Sequence, residues 1–133
     1  MVIDTSAIMA AIAGEPDEAR YRAAMKTADV RLLSAVTMLE AQIVLFARLG
    51  PAAVTAFREL IDQAPIVIVP FDEILADAAF QAFRTYGKGQ GHPAQLNIVD
   101  CAAYALARAR GLPLLFKGGD FARTDIPSAL ASE

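Results

Sequence analysis

Four acidic residues occupy positions where a carboxylate is expected to have a chemical role. Asp4 directly follows the apolar start of the chain, Glu40 interrupts an apolar stretch, Asp100 follows Ile-Val, and Asp120 follows two glycines. Carboxylates that gather without cationic partners repel one another, and a hard divalent cation bound through oxygen relieves that repulsion. Their residue types therefore indicate a site for such a cation, which is chemistry suited to hydrolysing a phosphodiester.

Two of these acids are predicted to follow strands. Asp4 comes after the predicted strand at 2–3, and Asp120 comes after the predicted strand at 114–116, separated from it by a glycine turn. Alternating strand and helix patterns predict an α/β fold with a parallel sheet, and ligands of such sheets bind outside the carboxyl ends of the strands. Both carboxylates are therefore expected at the same edge of the sheet.

The remaining elements follow from hydrophobic periodicity and from turn residues. Helices are predicted at about 4–13, 16–28, 34–49, 52–63, 72–86 and 98–110, with strands at 30–33 and 66–69 and a glycine-rich loop at 87–91. The segment Ile66–Val69 is continuously apolar and β-branched, which predicts burial on both faces. Without repeats or linkers, residues 1–133 are expected to form a single domain.

Glu40 and Asp100 are predicted on core-facing stripes of helices. Glu40 shares its stripe with Val36, Ile43 and Ala47, and Asp100 shares its stripe with Leu96, Ala103, Tyr104 and Ala107. A carboxylate on a buried stripe must be paired, protonated or bound to a metal ion.

Each acid also has a structural alternative. Asp4 could cap a helix, Asp100 could form a capping box with Asn97, Asp120 could close an Asx turn, and Glu40 could pair with Arg48 or Arg58. A single site accounts for all four acids with one explanation, whereas these alternatives require four.

Composition excludes several other classes of protein. The 133 residues are 56% hydrophobic and 20% charged with a net charge of −3, yet no apolar run is long enough to cross a membrane. No leader-like segment precedes the first strand, so we expect a cytoplasmic location. The single cysteine, Cys101, excludes an internal disulfide, and it lies beside an acid that raises its pKa. The single histidine, His92, lies in a Gly-Pro loop, so no nucleophilic triad is predicted.

Several segments match a known family in order along the chain. They are VIDTSA at 2–7, SAVTMLE at 34–40, YGKG at 86–89, HPAQLNIVDCAAYA at 92–105, LLFKGGDF at 114–121 and TDI at 124–126. With these segments the chain resembles the PIN-domain ribonuclease toxins of the VapC type, the toxin half of type II toxin-antitoxin pairs.

The resemblance implies a three-layer α/β/α sandwich with a central parallel sheet. It also implies that Asp4, Glu40, Asp100 and Asp120 form a catalytic acidic quartet that works with Mg²⁺ or Mn²⁺. The implied substrate is RNA, and the implied partners are a cognate antitoxin that blocks the site and a second copy in a homodimer. This chain departs from the family pattern at Val99, where relatives often have glycine, and at Gly119, where many have an acid or an amide.

Residue chemistry suggests separate roles within the quartet. Asp4 and Asp100 are predicted as the principal metal ligands, with Glu40 holding a water of the ion or acting as general base and Asp120 orienting waters or binding a second ion. Ser6 lies two residues after Asp4 and is predicted to donate a hydrogen bond to it. The alternative for Ser6 is an ordinary serine in a first helical turn.

Three cations near the acidic loops are candidates for binding RNA phosphates, namely Lys88, Lys117 and Arg123. The alternative for the loop around Lys88 is a solvated connection. Apolar residues at helical spacing are candidates for a docking surface or for core, and these are Ile8, Met9, Ile12, Tyr21, Met25, Phe46, Leu49 and Phe57.

Two other functions compete with the nuclease. One is an inactive PIN-like module that binds RNA or a partner without cutting. The other is a phospho-acceptor receiver domain, which also has a lysine after a late strand, as at Lys117. A receiver domain is expected to have a pair of acids directly after its first strand, and no such pair follows Ile3.

Overall fold

The computed structural model describes residues 1–130. Its strands are β1 (Val2–Ile3), β2 (Leu32–Ser34), β3 (Val67–Val69) and β4 (Leu114–Leu115). Its helices are α1 (Thr5–Ile12), α2 (Glu18–Thr27), α3 (Ala35–Leu49), α4 (Pro51–Gln63), α5 (Glu73–Tyr86) and α6 (Ile98–Arg110), followed by a 3₁₀ turn at Phe121–Arg123. Each predicted element is present, with boundaries that differ by only a few residues.

All strand pairs in the four-stranded sheet are parallel, and the strand order is β3-β2-β1-β4. Because side chains alternate along a strand, neighbouring residues of the sheet enter different cores. Val2 and Leu114 pack with α5 and α6, whereas Ile3 and Leu115 pack with helices α1 to α4. The chain therefore forms the expected three layers of helices, sheet and helices.

Strand β3 differs from the prediction. It lies at the edge of the sheet, and Val67 is 56% exposed while Val69 is buried. The apolar run alone could not distinguish an edge strand from a central one, because burial of a strand depends on strand order.

The predicted stripe of α3 is also wrong. The helix buries Thr37, Ala41 and Leu45, and leaves Ile43 58% exposed. Ser34 caps α3 by accepting a hydrogen bond from the Val36 amide at 3.2 Å, which fixes where the helix starts. The buried face of α3 is therefore rotated around the helix axis from the predicted face, and Glu40 lies half-buried at its border.

Burial also divides the predicted docking residues. Five of the eight are core, namely Ile8, Met9, Tyr21, Met25 and Phe57. Phe46 and Leu49 are exposed on α3, so only this part of the prediction concerns surface.

Within residues 1–130, none of the helices has the length and apolar character needed to span a membrane.

Candidate active site

Asp4 joins β1 to α1 and caps that helix. Its backbone is extended, and Oδ2 accepts hydrogen bonds from the Ser6 amide at 3.0 Å and from the Ser6 hydroxyl at 2.6 Å. Oδ1 is buried and has no hydrogen-bond partner among the described residues. Burial raises the pKa of Asp4, although the Ser6 hydrogen bonds oppose this effect. Capping therefore uses one carboxylate oxygen and leaves the other available to a ligand.

Asp100 likewise combines a structural contact with a place in the site. The capping box is present: Asp100 Oδ2 accepts from the Asn97 amide at 3.0 Å, and Asn97 Oδ1 accepts from the Asp100 amide at 2.9 Å. Burial, with smaller contributions from the charges of Asp4, Asp120 and Glu40, raises the pKa of Asp100 to about 6 against the lowering effect of the Asn97 amide. The four carboxylates therefore share one electrostatic environment.

The structural alternatives for Glu40 and Asp120 are absent. Within the described part of the chain, neither Arg48 nor Arg58 comes within 4.0 Å ion-pair distance of Glu40. Asp120 precedes the 3₁₀ turn but makes no side-chain capping hydrogen bond. These two carboxylates are positioned by their elements, and not by capping or ion pairing.

All four acids line one open cleft of about 380 Å³. Asp4 and Asp120 follow β1 and β4, which are neighbours in the sheet, while Glu40 and Asp100 reach the cleft from α3 and α6. The structure therefore brings the predicted quartet together at the carboxyl ends of the strands. The other residues that line the cleft are Thr5, Ser6, Met9, Glu15, Val44, Arg48, Lys117 and Phe121.

Ser6 connects two walls of this cleft. Its hydroxyl donates to Asp4 Oδ2 at 2.6 Å and accepts from the Lys117 amide at 2.9 Å. The segment after β4 is thereby tied to the carboxylate that follows β1. Ser6 makes the predicted contact with Asp4, and the contact with Lys117 is additional.

Lys117 lines the cleft, but its ammonium is engaged. It forms ion pairs with Glu15 and with Asp17, the latter at 3.1 Å between Nζ and Oδ1. The hydrogen bonds to Glu15 and Asp17 raise the pKa of Lys117. Its charge is therefore offset by the turn between α1 and α2.

The other two predicted phosphate-binding cations do not line the cleft. Arg123 donates to the Pro93 carbonyl at 3.5 Å, and its guanidinium lies beside Gly119, where an added Cβ would be 3.8 Å from Cζ. Lys88 has an exposed side chain, and its backbone amide donates to the Leu96 carbonyl at 2.9 Å.

Cys101 and His92 have structural positions. Cys101 is buried, and burial raises the pKa of its thiol to about 11, so a reactive thiolate is disfavoured. His92 Nδ1 accepts from the Ala94 amide at 3.0 Å, and the ring packs edge-on against Tyr86 with 4.8 Å between centroids.

Sequence reasoning did not select four residues that line the cleft: Thr5, Glu15, Val44 and Arg48. Arg48 was considered only as a partner for Glu40, although a spacing of eight residues places both on one helical face. The position of Glu15 depends on the course of the α1–α2 turn, for which the sequence carries no periodic signal.

The donor set fits a hard divalent cation. In residues 1–130, no three His, Cys, Asp or Glu side chains are close enough to form a complete metal cage. Mg²⁺ does not need such a cage, because it commonly binds one or two carboxylates and keeps several waters. The unpartnered buried Oδ1 of Asp4 and the destabilised charge of Asp100 are suited to this role.

Comparison with known proteins assigns the family. The family model described as "PIN domain" matches residues 1–127. The chain belongs to the PIN-domain family. This PIN domain is 47% identical over 130 residues to Ribonuclease VapC28 of Mycobacterium tuberculosis, covering 98% of each chain. It is 43% identical over 126 residues to Ribonuclease VapC of Mycolicibacterium smegmatis, covering 95% of this chain and 97% of the relative.

Solved structures show the same fold. Mycobacterium tuberculosis VapC20, described as a sarcin-ricin loop cleaving toxin, superposes with a TM-score of 0.78 at 19% identity, covering 94% of this chain and 95% of VapC20. FitAcB from Neisseria gonorrhoeae superposes with a TM-score of 0.68 at 26% identity, covering 96% and 94%. The predicted VapC-type PIN fold is therefore confirmed.

Proposed function

We propose that this PIN domain is a Mg²⁺-dependent endoribonuclease, with Mn²⁺ as an alternative ion, and the toxin of a type II toxin-antitoxin pair. The observation that carries the proposal is Asp4 Oδ1, which is buried and has no hydrogen-bond partner among the described residues, in a cleft with four further carboxylates. Ribonuclease activity is named for relatives that match 95–98% of the chain at 43–47% identity. Because the RNA substrate is intracellular, we also infer a cytoplasmic location.

Each carboxylate has a task in this reaction. Asp4, through Oδ1, and Asp100 would hold the ion, which supplies charge neutralisation at the phosphate and a more acidic water. Glu40 has no ion-pair partner among the described residues and is the group that accepts a proton from the attacking water. Asp120 orients waters beside the phosphate, and Ser6 holds the Asp4 carboxylate in place.

In this proposal, individual cations in and around the cleft contact phosphates of the RNA. Lys88 and Arg123 lie outside the cleft lining, so in this proposal they contact phosphates away from the cut site. Lys117 lies at the cleft, and its contact with RNA requires exchange of the carboxylates of Glu15 and Asp17 for a phosphate.

Two shallow cavities lined mainly by apolar residues are suited to binding protein partners. The α3 surface consists of Gln42, Ile43, Phe46, Ala47 and Val54. The apolar groove lies between α5 and α6 and consists of Phe71, Ala76, Ala79, Phe80, Phe83, Ile98 and Cys101.

We assign one partner to each surface. The α3 surface belongs to the helix that carries Glu40, so an antitoxin bound there can extend over the cleft. Both cavities are lined almost wholly by apolar atoms, but the groove is the larger, about 440 Å³ against about 360 Å³, and a large apolar surface suits a homodimer interface, so we assign it to a second copy of the chain.

The nuclease proposal is tested by incubating purified protein with total RNA in Mg²⁺ or in EDTA and mapping new ends. We expect discrete new ends in Mg²⁺ and none in EDTA. Cleavage that persists in EDTA would contradict the metal mechanism. Absence of cleavage together with growth arrest by both the wild type and Asp4→Asn would support the inactive binding module.

A further inference from the structure

The cleft presents RNA with an electrostatic problem. Five carboxylates line it, the quartet and Glu15, and a bound divalent cation offsets only part of their charge. A phosphate next to the one being cut needs a cation of its own to stay in the cleft. Among the described residues that line the cleft, the basic side chains are Lys117 and Arg48.

Lys117 does not supply this charge in the structure observed. Its ammonium is bound by Glu15 and Asp17, and these two carboxylates exceed its single positive charge. The cluster that Lys117 forms with Glu15 and Asp17 of the α1–α2 turn is therefore locally anionic and does not favour a phosphate.

Arg48 is differently placed. It lies in the last turn of α3, its side chain is exposed, and within residues 1–130 no acidic side chain is within 4.0 Å of its guanidinium. No hydrogen-bond acceptor in that part of the chain engages it either. Its five donors are therefore available to a ligand in the cleft.

The geometry of α3 sets the distance between this guanidinium and the carboxylates. Glu40, Val44 and Arg48 line the cleft at spacings of four residues, so they form one row along a face of the helix. Eight residues of helix advance about 12 Å. A phosphate at Arg48 is therefore separate from the phosphate beside Glu40, and a single RNA strand that passes Val44 can contact both.

We propose that Arg48 binds an RNA phosphate that flanks the cut site and so holds the strand along α3. This inference rests on the proposed ribonuclease function and adds a residue that fixes the path of the strand along α3. A guanidinium is suited to the role because its fork binds two phosphate oxygens at once.

Arg48 also has a structural effect that must be separated from binding. A cation in the last turn of a helix is stabilised by the helix dipole, so replacing Arg48 lowers helix stability whatever its role in binding. Arg58, exposed on the neighbouring helix α4 and outside the cleft lining, provides a matched control for loss of one positive charge.

The test measures binding separately from cutting. Arg48→Gln, Arg48→Lys and Arg58→Gln are each placed in an Asp4→Asn background, and binding of a labelled single-stranded RNA in Mg²⁺ is followed by fluorescence anisotropy across a salt series. For Arg48→Gln we expect a Kd about tenfold higher. We expect its salt slope to be smaller by about 0.7, the value for one contact with single-stranded nucleic acid. Arg48→Lys should be intermediate, and Arg58→Gln should match the background.

Equal Kd values and salt slopes for Arg48→Gln and Arg58→Gln would overturn the inference. A lower melting temperature for Arg48→Gln with unchanged RNA binding would also overturn it, because only the helix dipole would then be affected. Cleavage by the otherwise wild-type chain is measured in a separate reaction. Failure of that reaction contradicts the proposed nuclease, while the binding series still decides the role of Arg48.

Discussion

The acidic cleft and the apolar groove are cavities of similar size and opposite chemistry. The cleft of about 380 Å³ is lined by the four carboxylates of the quartet and by Glu15, and the groove of about 440 Å³ is lined by side chains such as Phe80 and Ile98. The cleft lies at the ends of β1 and β4, whereas the groove lies on the outer surface of α5 and α6. Cavity size alone therefore does not distinguish a reaction site from a docking site.

The difference lies in what remains unsatisfied in each cavity. In the cleft, a buried carboxylate oxygen of Asp4 lacks a partner, and burial and neighbouring charges disfavour the ionised form of Asp100. In the groove, large apolar side chains such as Phe80 are exposed to water. A bound cation would offset the negative charge in the cleft, and a bound protein surface would cover the apolar side chains of the groove. A substitution in one cavity should therefore leave the function of the other intact.

The largest effect is expected for Asp4→Asn. Asparagine retains an oxygen that can cap α1, so the fold should be preserved, while the charge that holds the ion is lost. We expect RNA cleavage to fall by at least about 100-fold, the scale of a lost acid-base or metal contribution. Rates of cleavage of a defined RNA measure the effect.

Asp62→Asn is the matched control, because Asp62 is an exposed acid on α4 outside the cleft lining. It should leave the rate of cleavage unchanged. Comparable losses of cleavage rate for Asp4→Asn and Asp62→Asn would show that acids in the cleft are no more important for cleavage than acids elsewhere on the surface.

A smaller effect is expected for Ser6→Ala. This change removes both the hydrogen bond to Asp4 Oδ2 and the acceptor for the Lys117 amide. Groups that orient a metal ligand contribute on the order of tenfold to 100-fold in metal affinity, and we expect the lower end here. Calorimetric titration with Mn²⁺ measures the change, and Ser6→Thr, which retains a hydroxyl, should restore most of the affinity. Full affinity in Ser6→Ala would show that Asp4 needs no such support.

Stability without metal should increase in Asp100→Asn. The folded state raises the pKa of Asp100 to about 6 mainly through burial, so the folded protein binds this proton more tightly than the unfolded chain does. The stability of the wild type therefore falls as pH rises from about 4 to about 6, and the deficit persists above that range. With partial exposure taken into account, we expect Asp100→Asn to be more stable by about 1–2 kcal/mol at neutral pH.

Urea unfolding in EDTA at several pH values tests this difference. It should shrink as pH falls through about 4 and vanish near pH 3, where Asp100 is protonated in both states. A difference that is independent of pH would indicate that the change acts through packing or through the capping box with Asn97.

No effect on cleavage is expected for Phe80→Ser in the groove. Phe80 is 59% exposed, and its replacement by serine should weaken self-association while cleavage of RNA is unchanged. Sedimentation and cleavage assays on the same sample measure both properties. Phe46→Ser on the α3 surface is the control, and it should leave self-association intact. Loss of cleavage in a Phe80→Ser protein that still self-associates would show that the groove affects the reaction in the cleft, contrary to this expectation.

The sequence predicted the positions of the acids better than their surroundings. Asp4 and Asp120 were located because strand ends are readable and parallel strands place their carboxyl ends together. Asp100 was located from its helix, in which the predicted core residues Ala103, Tyr104 and Ala107 are buried, although burial extends over the whole run 101–107 and is not confined to one stripe. Hydrophobic pattern and the order of the elements were sufficient to place these acids, because their positions depend on local structure and on strand topology.

The features that the sequence did not predict depend on how the helices and strands pack against one another. Thr37, Ala41 and Leu45 form the buried face of α3, since an apolar pattern with several candidate faces does not determine which one meets the sheet. Lys117 meets Glu15 across about a hundred residues of chain, and no local pattern reports such a contact. The exposure of Val67 likewise follows from strand order.

The central claim is that the four carboxylates form one metal site, with Asp4 and Asp100 as the principal ligands. A crystal of the wild-type protein grown with Mn²⁺ tests it through the anomalous signal of the metal. We predict a peak in the cleft about 2.1 Å from Asp4 Oδ1, with Asp100 as the second carboxylate ligand, and loss of that peak in Asp4→Asn. A crystal with Mn²⁺ bound elsewhere and none in the cleft, from a protein that cuts RNA in EDTA, would contradict the claim.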